Sequence, residues 1–96
     1  MSATTIQTIE KEKIPELHFP KTEVLEDNQK KLQRKLDLER ALILGNGSKS
    51  KVKIIFIDDQ STKQVETTIW GLTEDRVILK KGVMIPICRI IEVRLI

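Results

Sequence analysis

Lys49, Lys51 and Lys53 stand at every second position where a polar stretch, GNGSKS, gives way to the most apolar part of the chain. On a regular strand this spacing projects three ammonium groups from one face, where each can meet a backbone phosphate. Lys80 and Lys81, at a neighbouring turn, extend the set. Arg76 and Arg89 at strand starts, with Arg94 further on, add guanidinium groups that bind phosphate bidentately and stack on bases. The expected RNA-binding residues are therefore Lys49, Lys51, Lys53, Arg76, Lys80, Lys81 and Arg89. Structural roles compete for the same side chains: edge lysines guard a strand against aggregation, and the arginines have Glu66, Glu74 and Glu92 as cross-sheet or turn partners.

Trp70, the single tryptophan, could stack on a base if exposed. A ring packed between helix and sheet is the favoured arrangement, because an amphipathic helix must bury its leucines against some apolar surface.

No catalytic constellation accompanies these groups. Asp58 and Asp59 are adjacent in a turn, where carboxylates cap and solvate, and no third ligand or base is near in sequence. There is no glycine-rich phosphate loop, no Cys or His ligand pair and no nucleophile with a partner histidine. The expectation is a non-enzyme with no cofactor, no metal and no small-molecule substrate.

The 96 residues are 40% apolar but only 3% aromatic, so the core is expected to be built from Ile, Leu and Val. There are 17 Lys plus Arg against 14 Asp plus Glu. The net +3 resides in residues 45–96, which tilts the barrel half toward a polyanionic partner. Cys88 is the only cysteine, so no internal disulfide forms, and a reducing cytoplasm is the expected location. The first residues lack the apolar core of a signal peptide, and no stretch approaches the ~20 apolar residues of a membrane span. A soluble, cytoplasmic protein without a membrane partner is expected.

Three segments must position these residues. Residues 1–21 carry Pro15 and Pro20 without a sustained period and read as an extended tail. Within it Ile14, Leu17 and Phe19 are the expected partner-binding anchors. Residues 22–45 read as one amphipathic helix with Leu25, Leu32, Leu36 and Ile43 on a stripe that Leu38 and Leu42 widen near its end, stopped by Gly45. The stripe is expected to lie across one open end of a barrel as a lid; its near-heptad spacing also suits pairing with another chain. Residues 51–96 then give five short strands, near 51–58, 64–72, 76–81, 83–87 and 90–96, with Gly71 at a bend and Pro86 at an edge. One helix ahead of all the strands favours an antiparallel meander.

The expected fold class is mainly β: an N-terminal tail, one amphipathic helix and a five-stranded antiparallel small barrel. That order, the long second strand with its glycine, RVILKKG as the third strand and PICRI before the last resemble the Sm-like and SH3-like small barrels, including bacterial Hfq. The resemblance covers roughly residues 23–96. Where Hfq-like proteins carry a Tyr-Lys-His run, this chain has Pro86, Ile87 and Cys88, and its only histidine, His18, lies in the tail. The pattern is also similar to ribosomal proteins that join a small basic barrel to a polar tail.

The resulting expectation is an RNA-associated structural protein, an accessory constituent of the ribosome that binds rRNA and neighbouring proteins of a large assembly. Two alternatives accompany it: an Hfq-like RNA chaperone oligomer, and a protein-interaction adaptor working through its tail and helix.

Overall fold

Val52, Ile54 and Phe56 point to one side of β2 (Val52–Ile57), and each is buried to within 1% of its surface. This alternation makes β2 the spine of a sheet. A computed structural model describes residues 6–95; positions 1–5 of the expected tail and position 96 of the expected last strand lie outside the described residues. β2 pairs antiparallel with β3 (Thr62–Thr67) on one side and β7 (Ile90–Leu95) on the other. A short β1 (Gln7–Thr8) adds in parallel to β3, giving the order β1-β3-β2-β7.

After Thr68 the chain passes into a second antiparallel sheet of β4 (Ile69–Leu72), β5 (Arg76–Leu79) and β6 (Met84–Pro86). The expected second strand is thus broken at Thr68, and its two halves belong to different sheets. The described strands number seven, in two sheets, where five in one barrel were expected. No ladder among the described residues joins the sheets into a ring. Pro86 lies in β6, an edge strand of the second sheet, where its missing donor costs no ladder bond.

The segment before the helix is fastened to this core. The Ile9 amide donates to the Gln64 carbonyl at 2.9 Å, and residues Lys11–Glu16 form a 3-10 helix. That turn drives Ile14 into the core, leaving 1% exposed. Leu17 and Phe19 pack against the same cluster, the Phe19 ring 5.8 Å from that of Phe56. The extended arrangement expected for residues 6–21 is therefore replaced by a short strand, a turn and a covering segment, and residues 6–27 together form a strap over the core that leads into the helix. The apolar residues find their partner surface within the chain, and burying a side chain such as Ile14 stabilises the fold by about 2 kcal/mol.

Helix α1 (Asn28–Ser48) begins later and ends later than the apolar pattern predicts. The Asp27 carboxylate accepts from the Gln29 amide at 2.8 Å and caps its start. Gly45 does not stop it. Gly45 is an inner-face residue, where a Cβ would overlap the Ile69 carbonyl oxygen, so the missing side chain lets α1 lie directly on β4. The helix closes at Lys49, which adopts φ 56° while its amide donates to the Gly45 carbonyl.

The buried face of α1 carries Arg34, Leu38, Ala41 and Gly45, packed toward β4 and β7. Of the expected stripe, Leu25 ahead of the helix and Leu38 within it are buried and Leu42 packs against the core, whereas Leu32, Leu36 and Ile43 are exposed, so the stripe is only in part the packing face. Small residues at 41 and 45 win this contact because they allow the closest approach of helix to sheet. Arg34 can join them because Glu23 and the Ile90 carbonyl satisfy its guanidinium.

Candidate nucleic-acid interface

Three structural joints meet beside Trp70. The C-terminus of α1 brings Asn46 and Lys49, the approach to β2 brings Lys51, and the β5–β6 turn brings Lys80. The Lys80 amide donates to the Thr68 carbonyl at 3.2 Å, which holds that turn against the break between β3 and β4. Together they surround a cleft of about 440 Å³ with Trp70 in its wall and no carboxylate among its lining residues.

Trp70 is 52% exposed rather than packed between helix and sheet. The register of β4 on β5 shifts between Ile69 and Gly71, leaving Trp70 as the extra residue of a bulge. Ile69 keeps its inward position and is fully buried, so the indole is turned out. An aromatic face beside ammonium groups can stack on a base while the lysines meet flanking phosphates. Lys49 reaches the cleft from a left-handed backbone conformation that costs a non-glycine residue about 1 kcal/mol.

The other expected RNA-binding residues lie elsewhere. Lys53 sits within β2, opposite Glu66 and Arg94 and outside the cleft. The regular two-residue spacing fails because the strand starts only at Val52. Arg76 lines a separate depression of about 400 Å³ with Phe19, Lys21 and Cys88. Lys81, at φ 68° in the β5–β6 turn, contributes to the field that lowers the Glu12 pKa, behind the Glu12 backbone and the nearer Lys11.

Arg89 is buried and fully engaged. Its guanidinium donates to the Ile57 carbonyl at 3.0 Å, the Thr22 carbonyl at 2.9 Å, the Thr22 hydroxyl at 3.0 Å and the Asp58 carbonyl at 3.3 Å. It clamps the strap to the first sheet and is withdrawn from solvent. Of the expected partner anchors, Ile14 is inside the core, and Leu17 and Phe19 are half-buried against it.

Asp58 also has a structural use. Its carboxylate accepts from the Gln60 and Ser61 amides, each at 2.8 Å, and pairs with the buried Lys63 ammonium at 2.5 Å. Burial alone would push its pKa up, but Lys63 and the two amides outweigh that and hold it below the ordinary aspartate range. Lys63 is thereby spent on the turn and offers nothing to a phosphate.

A larger groove of about 540 Å³ runs between α1 and the β4–β5 turn, but Lys31 and Lys35 share it with Glu39 and Glu74, and no ring lines it. Among the described residues no three His, Cys, Asp or Glu side chains gather to hold a metal ion, and no helix is long and apolar enough to cross a membrane.

Sequence reasoning passed over Asn46 and Thr68 as lining residues and favoured a packed Trp70 over an exposed one. The available signal for Trp70 was its position one residue before Gly71 on a strand expected to bend. No protein-family model matches the chain, and no curated protein or solved structure matches it either.

Proposed function

We propose that this chain is an RNA-associated structural protein that holds a single-stranded RNA segment in the cleft beside Trp70. One observation carries the reading: Lys49, Lys51 and Lys80, from three separate elements, surround a half-exposed indole without an intervening acid. In this reading one base stacks on Trp70 while Lys49, Lys51 and Lys80 neutralise the phosphates on either side. The strand order β7-β2-β3 in one sheet and β4-β5-β6 in the other, with β3 running on into β4, supports a small barrel of Sm-like or SH3-like type as the scaffold.

The indole supplies its own reporter, because it is the only tryptophan in the chain. Titration with a short single-stranded RNA at low salt is expected to quench its fluorescence to saturation. Three phosphate contacts predict a slope of log affinity on log salt of about −2, at roughly −0.7 per contact. RNA binding without any change in Trp70 emission, or no binding at low salt, would contradict the reading.

Assembly into a ribosomal particle is the further part of the proposal, supported by the mild basic excess. Co-sedimentation with a ribosomal subunit through a sucrose gradient, retained at high salt, is its expected signature. Recovery only at the top of the gradient would remove the ribosome from the reading while leaving the RNA cleft to be judged by fluorescence.

A further inference from the structure

The solvent side of α1 carries Leu32, Leu36 and Ile43, which are 57%, 49% and 71% exposed. At about 100° per residue these three fall within an arc of about 40°, roughly half a turn from the buried Arg34, Leu38, Ala41 and Gly45. A narrow aliphatic seam on a 21-residue helix, directed away from the body, is the form that a second helix covers. Written as a heptad, Leu36 and Ile43 take a positions and Leu32 and Glu39 take d positions, with Lys35 at g and Arg40 at e.

We propose that the occupant is a second copy of this chain, its α1 packed antiparallel about a two-fold axis passing between Asp37 and Leu38. In that register Leu32 meets Ile43 of the second copy, twice by symmetry. Leu36 lies over the stem of Glu39, whose carboxylate falls within about one helical step of Lys35 of the second copy, on the same flank of the seam. The aliphatic pairs set this axis and the Glu39–Lys35 pairs complement it on one flank, while Arg40 stands near Arg40 of the second copy on the other.

The parallel alternative fails on the same residues. It places Glu39 against Glu39 in one layer and Lys35 at g against Arg40 at e, like charges in both places. Lys35 and Glu39 are also available, since neither forms an ion pair among the described residues. Their order along the helix, base before acid, is the weaker one for a pair within a single helix.

The exposed parts of the three side chains amount to on the order of 300 Å² per copy, well under the ~800 Å² per partner of a standard interface. The dimer is accordingly reversible and concentration-dependent. It forms without nucleic acid and does not rest on the RNA reading.

Sedimentation equilibrium of the full chain, free of RNA, between about 10 μM and 1 mM spans the range a contact of this size requires. The mass is expected to rise from that of one chain toward two. Leu36→Glu and Ile43→Glu, both at exposed positions and checked for unchanged circular dichroism, are expected to hold it at one chain. Lys35→Glu and Glu39→Lys are each expected to weaken association, and the two together to restore it, because the exchanged charges still face each other across the antiparallel pair. A monomer mass throughout, a dimer indifferent to Leu36→Glu, or a double exchange that fails to recover association would each overturn the proposal. A monomer would assign the seam to a different protein.

Discussion

Arg34 and Glu23 meet in a bidentate ion pair, 2.6 Å and 2.8 Å, that ties the strap to the inner face of α1. The same guanidinium donates to the Ile90 carbonyl at 2.9 Å, so a single side chain links strap, helix and β7. The pair makes a charged residue tolerable on a face otherwise reserved for Leu38, Ala41 and Gly45. Replacing Glu23 with alanine leaves Arg34 buried without its counter-charge. Because Glu23 keeps 29% of its side chain in solvent, the expected loss is about 2 kcal/mol rather than the larger cost of a fully buried pair. The midpoint of urea unfolding reads this directly.

The strap is part of the core, and Ile14 is its deepest point. Ile14→Ala is expected to destabilise the protein by about 3 kcal/mol, through lost burial and the cavity left behind. If residues 6–21 served instead as a detachable arm for a partner, the substitution would leave thermal stability within about 0.5 kcal/mol of the unchanged chain.

Acid should weaken the fold through two carboxylates. The hydrogen bond from Arg34 lowers the Glu23 pKa below its ordinary 4.5 despite partial burial. Asp58 lies below its ordinary 3.8 because Lys63 and two amides outweigh the effect of burial. A folded pKa below the unfolded one stabilises the protein above the ordinary carboxylate range, and that stabilisation is lost as pH falls through the lowered folded value. Stability is therefore expected to be insensitive to these two groups near neutrality and to decline below about pH 4.5. Asp58→Asn should cost about 3 kcal/mol near neutrality, by stranding Lys63, and should flatten part of the acid decline.

Lys49 is held in a left-handed conformation at the end of α1. Lys49→Gly relieves that conformation and is expected to raise stability by about 1 kcal/mol. The same substitution removes one of the three ammonium groups at the cleft and should weaken RNA binding severalfold. Opposite changes in stability and affinity distinguish a functional lysine from one that only caps a helix. Thermal unfolding and an RNA titration on the same preparation give both quantities.

The amino-acid pattern conveys where strands lie after residue 51 better than how they are divided and which faces they bury. The apolar run in VKIIFI and the turn residues at DDQSTK and TED locate β2 and β5 within a few residues and the stretch that holds β3 and β4, but not the break at Thr68 that divides them between two sheets. The helix face was read only in part: Leu38 is buried as its place on the stripe implies, but packing turned Leu32, Leu36 and Ile43 outward and selected the side with Ala41 and Gly45, which comes closest to β4. Arg89 has the composition of an RNA contact and the surroundings of a clamp, a difference set by carbonyls contributed from residues 22, 57 and 58. Trp70 was turned outward by a one-residue shift in register, a feature of pairing between strands that neither strand carries alone.

The most direct test of the RNA cleft compares two triple alanine variants that remove equal charge. Lys49, Lys51 and Lys80 are changed in one, and Lys53, Arg76 and Lys81 in the other. Binding of a fluorescently labelled single-stranded RNA is then followed by anisotropy at low and moderate salt. The cleft variant is expected to lose at least about tenfold in affinity and about 2 units of salt slope, with the second variant close to the unchanged chain. Equal losses in both variants would show that RNA senses only net charge, and would contradict a defined site beside Trp70.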